Sequence, residues 1–239
     1  MPFNPKCWAS HTGPYAVNPD WFRGAFEAIR NGSWKASQGE DDYVPSELYV
    51  VRDGLALIEI QGPIMRGQSK FGGTSSLMVR EALRRTGGDS AVNGILLLVD
   101  SPGGSVAGTG ELAEEIRATA EKKPVYAHVE GMAASAAYWI LAFASRITAS
   151  PTSLVGNLGV YAVLTDSSKA ADMQGLKVHV VASGALKGAG EPGTPVSQDL
   201  LAETQEIVDA MAKEFFDAVK AAVRAEKDAT SCPRSSSKT

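Results

Sequence analysis

Two periodicities alternate through the middle of the chain. Short apolar runs of strand length, Leu55–Ile60, Gly94–Asp100 and Pro124–Val129, are separated by stretches whose apolar residues recur every three to four positions. Ser75–Thr86 carries Leu77, Val79, Ala82 and Leu83 at helical spacing and runs into Gly87-Gly88, which reads as a stop. Glu111–Lys122 reads as a second helix, with Leu112, Ala113 and Ile116 inward. The run Gly94–Asp100 is apolar almost without interruption, as suits a strand of a parallel sheet covered on both faces. Further along, the pattern predicts strands at Arg146–Ala149, Val160–Thr165 and Lys177–Ala182, with a short helix at Ser167–Gly175. Ser197–Lys227 is a long helix whose stripe is Leu200, Leu201, Thr204, Ile207, Val208, Met211, Phe215 and Val219, with Ser197 as its cap. That stripe reads as core packing. Alternating strands and helices argue for a layered α/β domain with a largely parallel sheet.

The ends read differently. Residues 1–45 are rich in aromatics, Pro, Gly and Ser; Pro19–Ile29 has a short helical pattern, and Ser33–Pro45 reads as a linker. The expected division is an N-terminal arm and linker over 1–47, a domain over 48–227 and a disordered tail over 228–239. Hydrophobic residues at 44% and charged residues at 21% are ordinary for a globular chain, so composition excludes little beyond disorder. A net charge of −4 without a strongly basic run argues against nucleic acid and anionic membranes as partners. Cys7 and Cys232 lack metal-ligand spacing and read as free thiols. The N-terminus lacks the signal-peptide pattern, and no uninterrupted apolar window spans a bilayer. The expectation is a cytoplasmic chain without a membrane anchor, metal or cofactor.

Three stretches bear on chemistry. The first is Glu130-Gly131-Met132-Ala133-Ala134-Ser135-Ala136-Ala137-Tyr138-Trp139, read as strand, glycine turn and helix with Ser135 in the first turn. Backbone N–H groups there lack intrahelical partners. Alone, such a serine is an N-cap or a small packing residue. The second is Asp100-Ser101-Pro102-Gly103-Gly104-Ser105-Val106, which follows a buried strand and opens a helix. Glycines there let a ligand approach the backbone closely, and free N–H groups make an anion nest. The turn has neither the Gly-Lys-Ser/Thr of a phosphate loop nor Gly-x-Gly-x-x-Gly spacing. It fits an oxyanion hole better, against the plainer reading of an ordinary strand-to-helix turn. The third is Ala182-Ser183-Gly184-Ala185-Leu186-Lys187-Gly188, a single lysine among small residues. It reads as a solvated loop lysine or, if buried and neutral, as a general base.

The histidines offer less. His11 lies in the irregular N-terminal segment, and His128 and His179 fall within expected strands without a telling carboxylate partner. A Ser-His-Asp arrangement is therefore not signalled. Glu111/Glu114/Glu115 and Glu40/Asp41/Asp42 read as solvated faces.

Taken in order, Ser-Pro-Gly-Gly, Gly-Met-Ala-Ala-Ser-Ala-Ala-Tyr, Gly-x-Leu-Gly-Val at Gly156–Val160 and Ser-Gly-x-x-Lys resemble the signal-peptide-peptidase-A family of serine peptidases, from about Leu55 to Phe216. The resemblance implies a ClpP/crotonase-like spiral of ββα units that assembles into homo-oligomeric rings. It implies Ser135 as nucleophile and Lys187 as general base. Gly104 and the Ala136 N–H would form the oxyanion hole, with Gly103 shaping the turn. The family usually has serine where this chain has Asn157, whose amide oxygen could accept from the lysine. Alanines after Ser135, the lack of an anchor and the N-terminal segment resemble the phage head-maturation branch. That implies cleavage of a scaffold protein or of the chain's own tail. Three alternatives stay open: a cellular signal-peptide peptidase, a non-catalytic capsid or scaffold-binding protein, and a crotonase-like acyl-CoA enzyme.

Overall fold

A computed structural model describes residues 15–17, 27, 48–69 and 72–231. The expected helix over 19–29, apart from Glu27, and the linker over 33–45 lie outside the described residues, as do Cys7, His11 and Cys232. Strands β2 (Val50–Arg52), β3 (Leu55–Gln61), β6 (Gly94–Ser101), β8 (Val125–Ala134), β9 (Arg146–Ala149) and β10 (Leu154–Gly156) form one sheet. Its order is β10-β8-β6-β3-β2, with β9 on β8 beside β10, and only the β2/β3 pair is antiparallel. A smaller sheet has the order β1-β7-β4-β5, from β1 (Tyr15–Val17), β7 (Gly103–Ser105), β4 (Ile64–Met65) and β5 (Thr74–Ser75). This is the expected α/β class with a largely parallel sheet.

The helices of the first half cover one face of the large sheet. Helix α1 (Ser76–Gly88) packs against α2 (Thr109–Ala120), and α2 against α3 (Ala136–Leu141). Ser75 caps α1, its hydroxyl accepting from Met78 N at 3.4 Å. The helix includes Gly87 and Gly88 rather than stopping before them. Glu115 of α2 meets Arg84 of α1 at 2.8 Å, a surface pair of at most about 1 kcal/mol. The main stabilising term is apolar burial: Ile58, Ile60, Leu83, Ile95, Leu97, Val99, Leu112 and Ile116 are almost wholly buried. Along β6 only alternate residues reach that core. Leu96 and Leu98 on the other face are half-buried, so this strand is not fully covered on both sides as its composition suggests.

The second half is more open. β9 is exposed throughout. The segment 160–165 makes a single bridge at Tyr161, and 177–182 has no regular structure, so neither expected strand forms. Helix α4 (Ser168–Met173) buries no residue. Helix α5 (Gln198–Ser231) begins at the expected cap, Ser197 Oγ accepting from Leu200 N at 3.1 Å, and runs past the expected end into the presumed tail. Of its stripe only Phe215 is buried; Leu201 and Ile207 are over 40% exposed, so most of the stripe is not core. Phe215 stacks on Trp139 of α3, with centroids 4.7 Å apart and planes 8° from parallel. The long helix is thereby anchored to the short helix that follows Ser135.

The stretch between α4 and α5 is tied back by Asp166. Its carboxylate accepts from Ser168 Oγ at 2.6 Å and Ser168 N at 3.0 Å, and from Val196 N at 3.1 Å. Ser167 Oγ accepts from Gly193 N at 2.8 Å. These bonds, the Ser168 hydroxyl first, hold the Asp166 carboxyl below the usual aspartate range.

Phe215→Ala should lower the unfolding free energy by about 3–5 kcal/mol in denaturant titrations, the usual cost of deleting a buried phenyl group, and Phe215→Leu by clearly less. A lowered pKa stabilises the ionised, bonded form above the unfolded value of ~3.9 and loses that contribution as pH falls through the folded value. The Val196 amide resonance should therefore titrate with a midpoint below ~3.9. A midpoint at or above the ordinary value would contradict the bond.

Candidate active site

Parallel strands end on the same edge of a sheet, and the two chemical stretches lie at the ends of adjacent strands. β6 and β8 pair in register from Ile95 with Val125 to Val99 with Val129, and again at Ser101 with Ala133. The first stretch therefore leaves the sheet beside the residues that lead into Ser135.

Ser101 is fully buried and ties its own turn. Its hydroxyl donates to Gly62 O at 2.6 Å and accepts from Gly103 N at 3.2 Å. Gly103 has φ +96°, a conformation glycine adopts without a Cβ penalty. Gly104 is required for space: a Cβ there would lie 1.8 Å from Ile64 O, across the β4/β7 pairing. On its other edge β7 pairs antiparallel with β1, Ala16 opposite Gly104.

β8 does not turn at Gly131, as the glycine suggests, but continues to Ala134. Ser135 follows at φ 55°, ψ −117° and serves as the N-cap of α3 without a side-chain capping bond. This backbone conformation is rare for a residue with a Cβ and costs about 1–3 kcal/mol. Such a sharp strand-to-helix turn is also how nucleophile elbows present a hydroxyl. Neighbours hold it there. Ser135 N donates to Gly156 O at 2.8 Å, and Ser135 Oγ donates to Gly159 O at 3.2 Å. Ser135 is 1% exposed. At the first position of α3, the Ala136 N–H has no intrahelical acceptor.

The structure thus brings together Ser135, Ala136 and the Gly156–Val160 segment, with the Gly103-Gly104 strand packed against α3. It does not bring Lys187 to them. Lys187 is exposed in a turn whose N–H donates to Gly184 O at 3.2 Å, and its ammonium has no hydrogen-bond or ion-pair partner among the described residues. Of the two readings of this lysine, solvated loop residue or buried base, the single chain shows it exposed. Asn157 is exposed at φ +53°, in the left-handed region that asparagine tolerates better than most residues. That backbone demand accounts for its residue type without a bond to the lysine.

The histidines are placed as structural groups or surface. His128 Nδ1 lies 2.9 Å from Thr148 Oγ1 and Nε2 lies 3.4 Å from Ser150 Oγ, bridging β8 to β9 and its exit, and His179 is exposed. Sequence reasoning passed over Asp100 and Gly62, which tie the turn to its neighbours. The available signal was an acidic residue ending an apolar strand directly before Ser-Pro-Gly-Gly.

The comparisons with known proteins agree with the motifs. Residues 117–231 match peptidase family S49, and residues 78–153 match Clp protease. The chain is 30% identical over 193 residues to capsid assembly protease C of Escherichia phage lambda, covering 78% of this chain and 44% of that protein. It is 28% identical over 179 residues to head-tail preconnector protein GP5 of Enterobacteria phage P21, covering 73% and 36%. It is 38% identical over 111 residues to protease 4 of Salmonella typhi, covering 46% and 18%. The chain spans less than half the length of these curated relatives. An enoyl-CoA hydratase from Polaromonas sp. JS666 aligns with a TM-score of 0.39 at 16% identity, over 69% of this chain and 76% of the other. The stretch that matches peptidase family S49, residues 117–231, holds both Ser135 and Lys187.

Proposed function

We propose that this protein is a serine endopeptidase in which Ser135 attacks a peptide carbonyl and Lys187 is the general base. The observation that carries the reading is Ser135 itself. It is a serine held in a strained strand-to-helix turn, beside a glycine turn that leaves the neighbouring parallel strand. A backbone carbonyl accepts a hydrogen bond but cannot take a proton. Ser135 Oγ must therefore exchange Gly159 O for a base before it attacks, and neutral Lys187 supplies that base. The oxygen then bonds the substrate carbonyl carbon. The N–H groups of Gly104 and Ala136, with Gly103 shaping the turn, hold the resulting oxyanion. Collapse expels the amine, which takes the proton from Lys187, and water releases the acyl group from Ser135.

Assembly of copies completes the dyad in this reading. Leu154, Val163, Met173, Leu176 and Val181 are each more than half exposed in the single chain, on the open half that carries Lys187. Covering that half by further copies would remove apolar surface from water and withdraw the lysine from solvent. The substrate is an extended segment of a scaffold protein or of this chain's own tail, with small or apolar residues near the cut. The capsid-assembly name of the phage lambda relative supports that class. The similarity to protease 4 supports a second reading, in which the same chemistry acts on cellular peptides.

A serine-reactive peptidyl probe should label the wild type at Ser135. Ser135→Ala should take no label, and Lys187→Ala should be slowed at least about 100-fold, the lower bound for loss of a general base. Labelling that survives Lys187→Ala would assign another base. A folded, assembled wild type that takes no label would favour a non-catalytic capsid protein.

A further inference from the structure

The two parallel strands that carry the site do not stay in step to their ends. From Val99 to Ser101 is two residues along β6; the matching interval, Val129 to Ala133, is four along β8. The two extra residues fall in Glu130–Met132, three to five positions before Ser135. A bulge of this kind re-aims whatever follows it. Left without support it would also let the following residues slide relative to β6, and with them the position of Ser135 against the glycine turn.

One side chain spans the bulge. Asp100 Oδ1 accepts from Met132 N at 2.9 Å. The approach is close enough to dictate the residue next to it: a Cβ on Gly131 would lie 2.6 Å from Oδ1 and 3.0 Å from Oδ2. The same residue is fixed on its other side through its backbone, where Gly62 N donates to Asp100 O at 2.9 Å. Ser101 Oγ returns a bond to Gly62 O and receives one from Gly103 N. A continuous set of bonds therefore runs from the bulge before Ser135, through Asp100 and Ser101, to the first glycine of the turn.

We infer that Asp100 is a positioning residue for the reaction at Ser135: its carboxylate pins the β8 bulge at Met132 and so sets the serine's distance from the Gly103-Gly104 turn. The inference rests on the peptidase reading. Asp100 touches no reacting atom in it and works through the backbone of Met132. What matters is an acceptor oxygen at that spot rather than a negative charge, because the donor is a neutral amide. Asparagine can supply that oxygen, and alanine cannot.

The test uses full-length wild type, Asp100→Ala and Asp100→Asn. Two quantities are measured: the rate of Ser135 acylation by the peptidyl probe, and the affinity for a fluorescent extended peptide on a Ser135→Ala background. Amide exchange at Met132 and the residues up to Ser135 is followed in the same three proteins. Asp100→Ala should acylate at least tenfold more slowly with peptide affinity within twofold of the parent, and should exchange faster at Met132. Asp100→Asn should restore most of both the rate and the protection. Wild-type acylation in Asp100→Ala would overturn the inference. So would equal losses in the alanine and asparagine variants, or a loss confined to peptide affinity. If Asp100→Ala fails to fold while Asp100→Asn acylates normally, the acceptor role stands; if Asp100→Asn also fails, it falls. Should the wild type itself take no label, the peptidase reading fails separately, and the exchange pattern alone decides whether Asp100 pins the bulge.

Discussion

The parallel pairing of β6 with β8 is the interaction on which the site depends. Its interior half is simple: Ile95, Leu97 and Val99 on one strand and Val125, Ala127 and Val129 on the other are buried in the same core, with register kept residue by residue. Its outer half carries the polar groups. Because the strands are parallel, both chains leave the sheet at one edge. One opens into Ser101-Pro102-Gly103-Gly104, and the other reaches Ser135. An antiparallel pair would have put these two stretches at opposite edges, with no route to a common site.

The strain at Ser135 is sustained because the surroundings leave it no alternative. β10 lies alongside the last residues of β8, pairing Gly156 with Ala134, and the Gly156–Gly159 loop then accepts from both the amide and the hydroxyl of Ser135. On the other side, Ala136, Ala137, Ile140 and Leu141 are fully buried, and Trp139 is clamped by Phe215 from the long C-terminal helix. Small residues after the serine are a packing requirement here, since α3 sits directly on β7 and α2. The cost of one unfavourable backbone conformation is small beside the burial of that helix.

Much of the first half was legible in the sequence, and the reasons are local. β3, β6, α1 and α2 each carry a periodicity that one buried face explains, and they lie within a residue or two of their expected limits. Gly131 misled because a glycine between apolar runs signals a turn, whereas here it makes room for a carboxylate. The second half was less legible for a different reason. Val160–Thr165 and Lys177–Ala182 read as strands, but among the described residues they form nothing beyond the single bridge at Tyr161, and Val181 stays 98% exposed. The stripe on α5 likewise announces a face to be covered and is silent on what covers it; within one chain Phe215 is buried in the core and Val219, partly buried, packs against it. A hydrophobic pattern records the need for burial, not the identity of the partner. Ser135 and the glycine turn were singled out by their motifs and lie at the ends of adjacent strands, whereas Lys187 stands exposed in its turn.

The most direct measurement of the central claim is a structure of the assembled protein with a peptidyl aldehyde or boronate bound. The account predicts a covalent bond to Ser135 Oγ and the adduct oxygen ~2.7–3.1 Å from the N–H groups of Gly104 and Ala136. It also predicts the Lys187 ammonium, shielded from solvent by neighbouring copies, within hydrogen-bond reach of the serine oxygen. An adduct on another residue, or Lys187 still in open solvent beside a bound inhibitor, would contradict it.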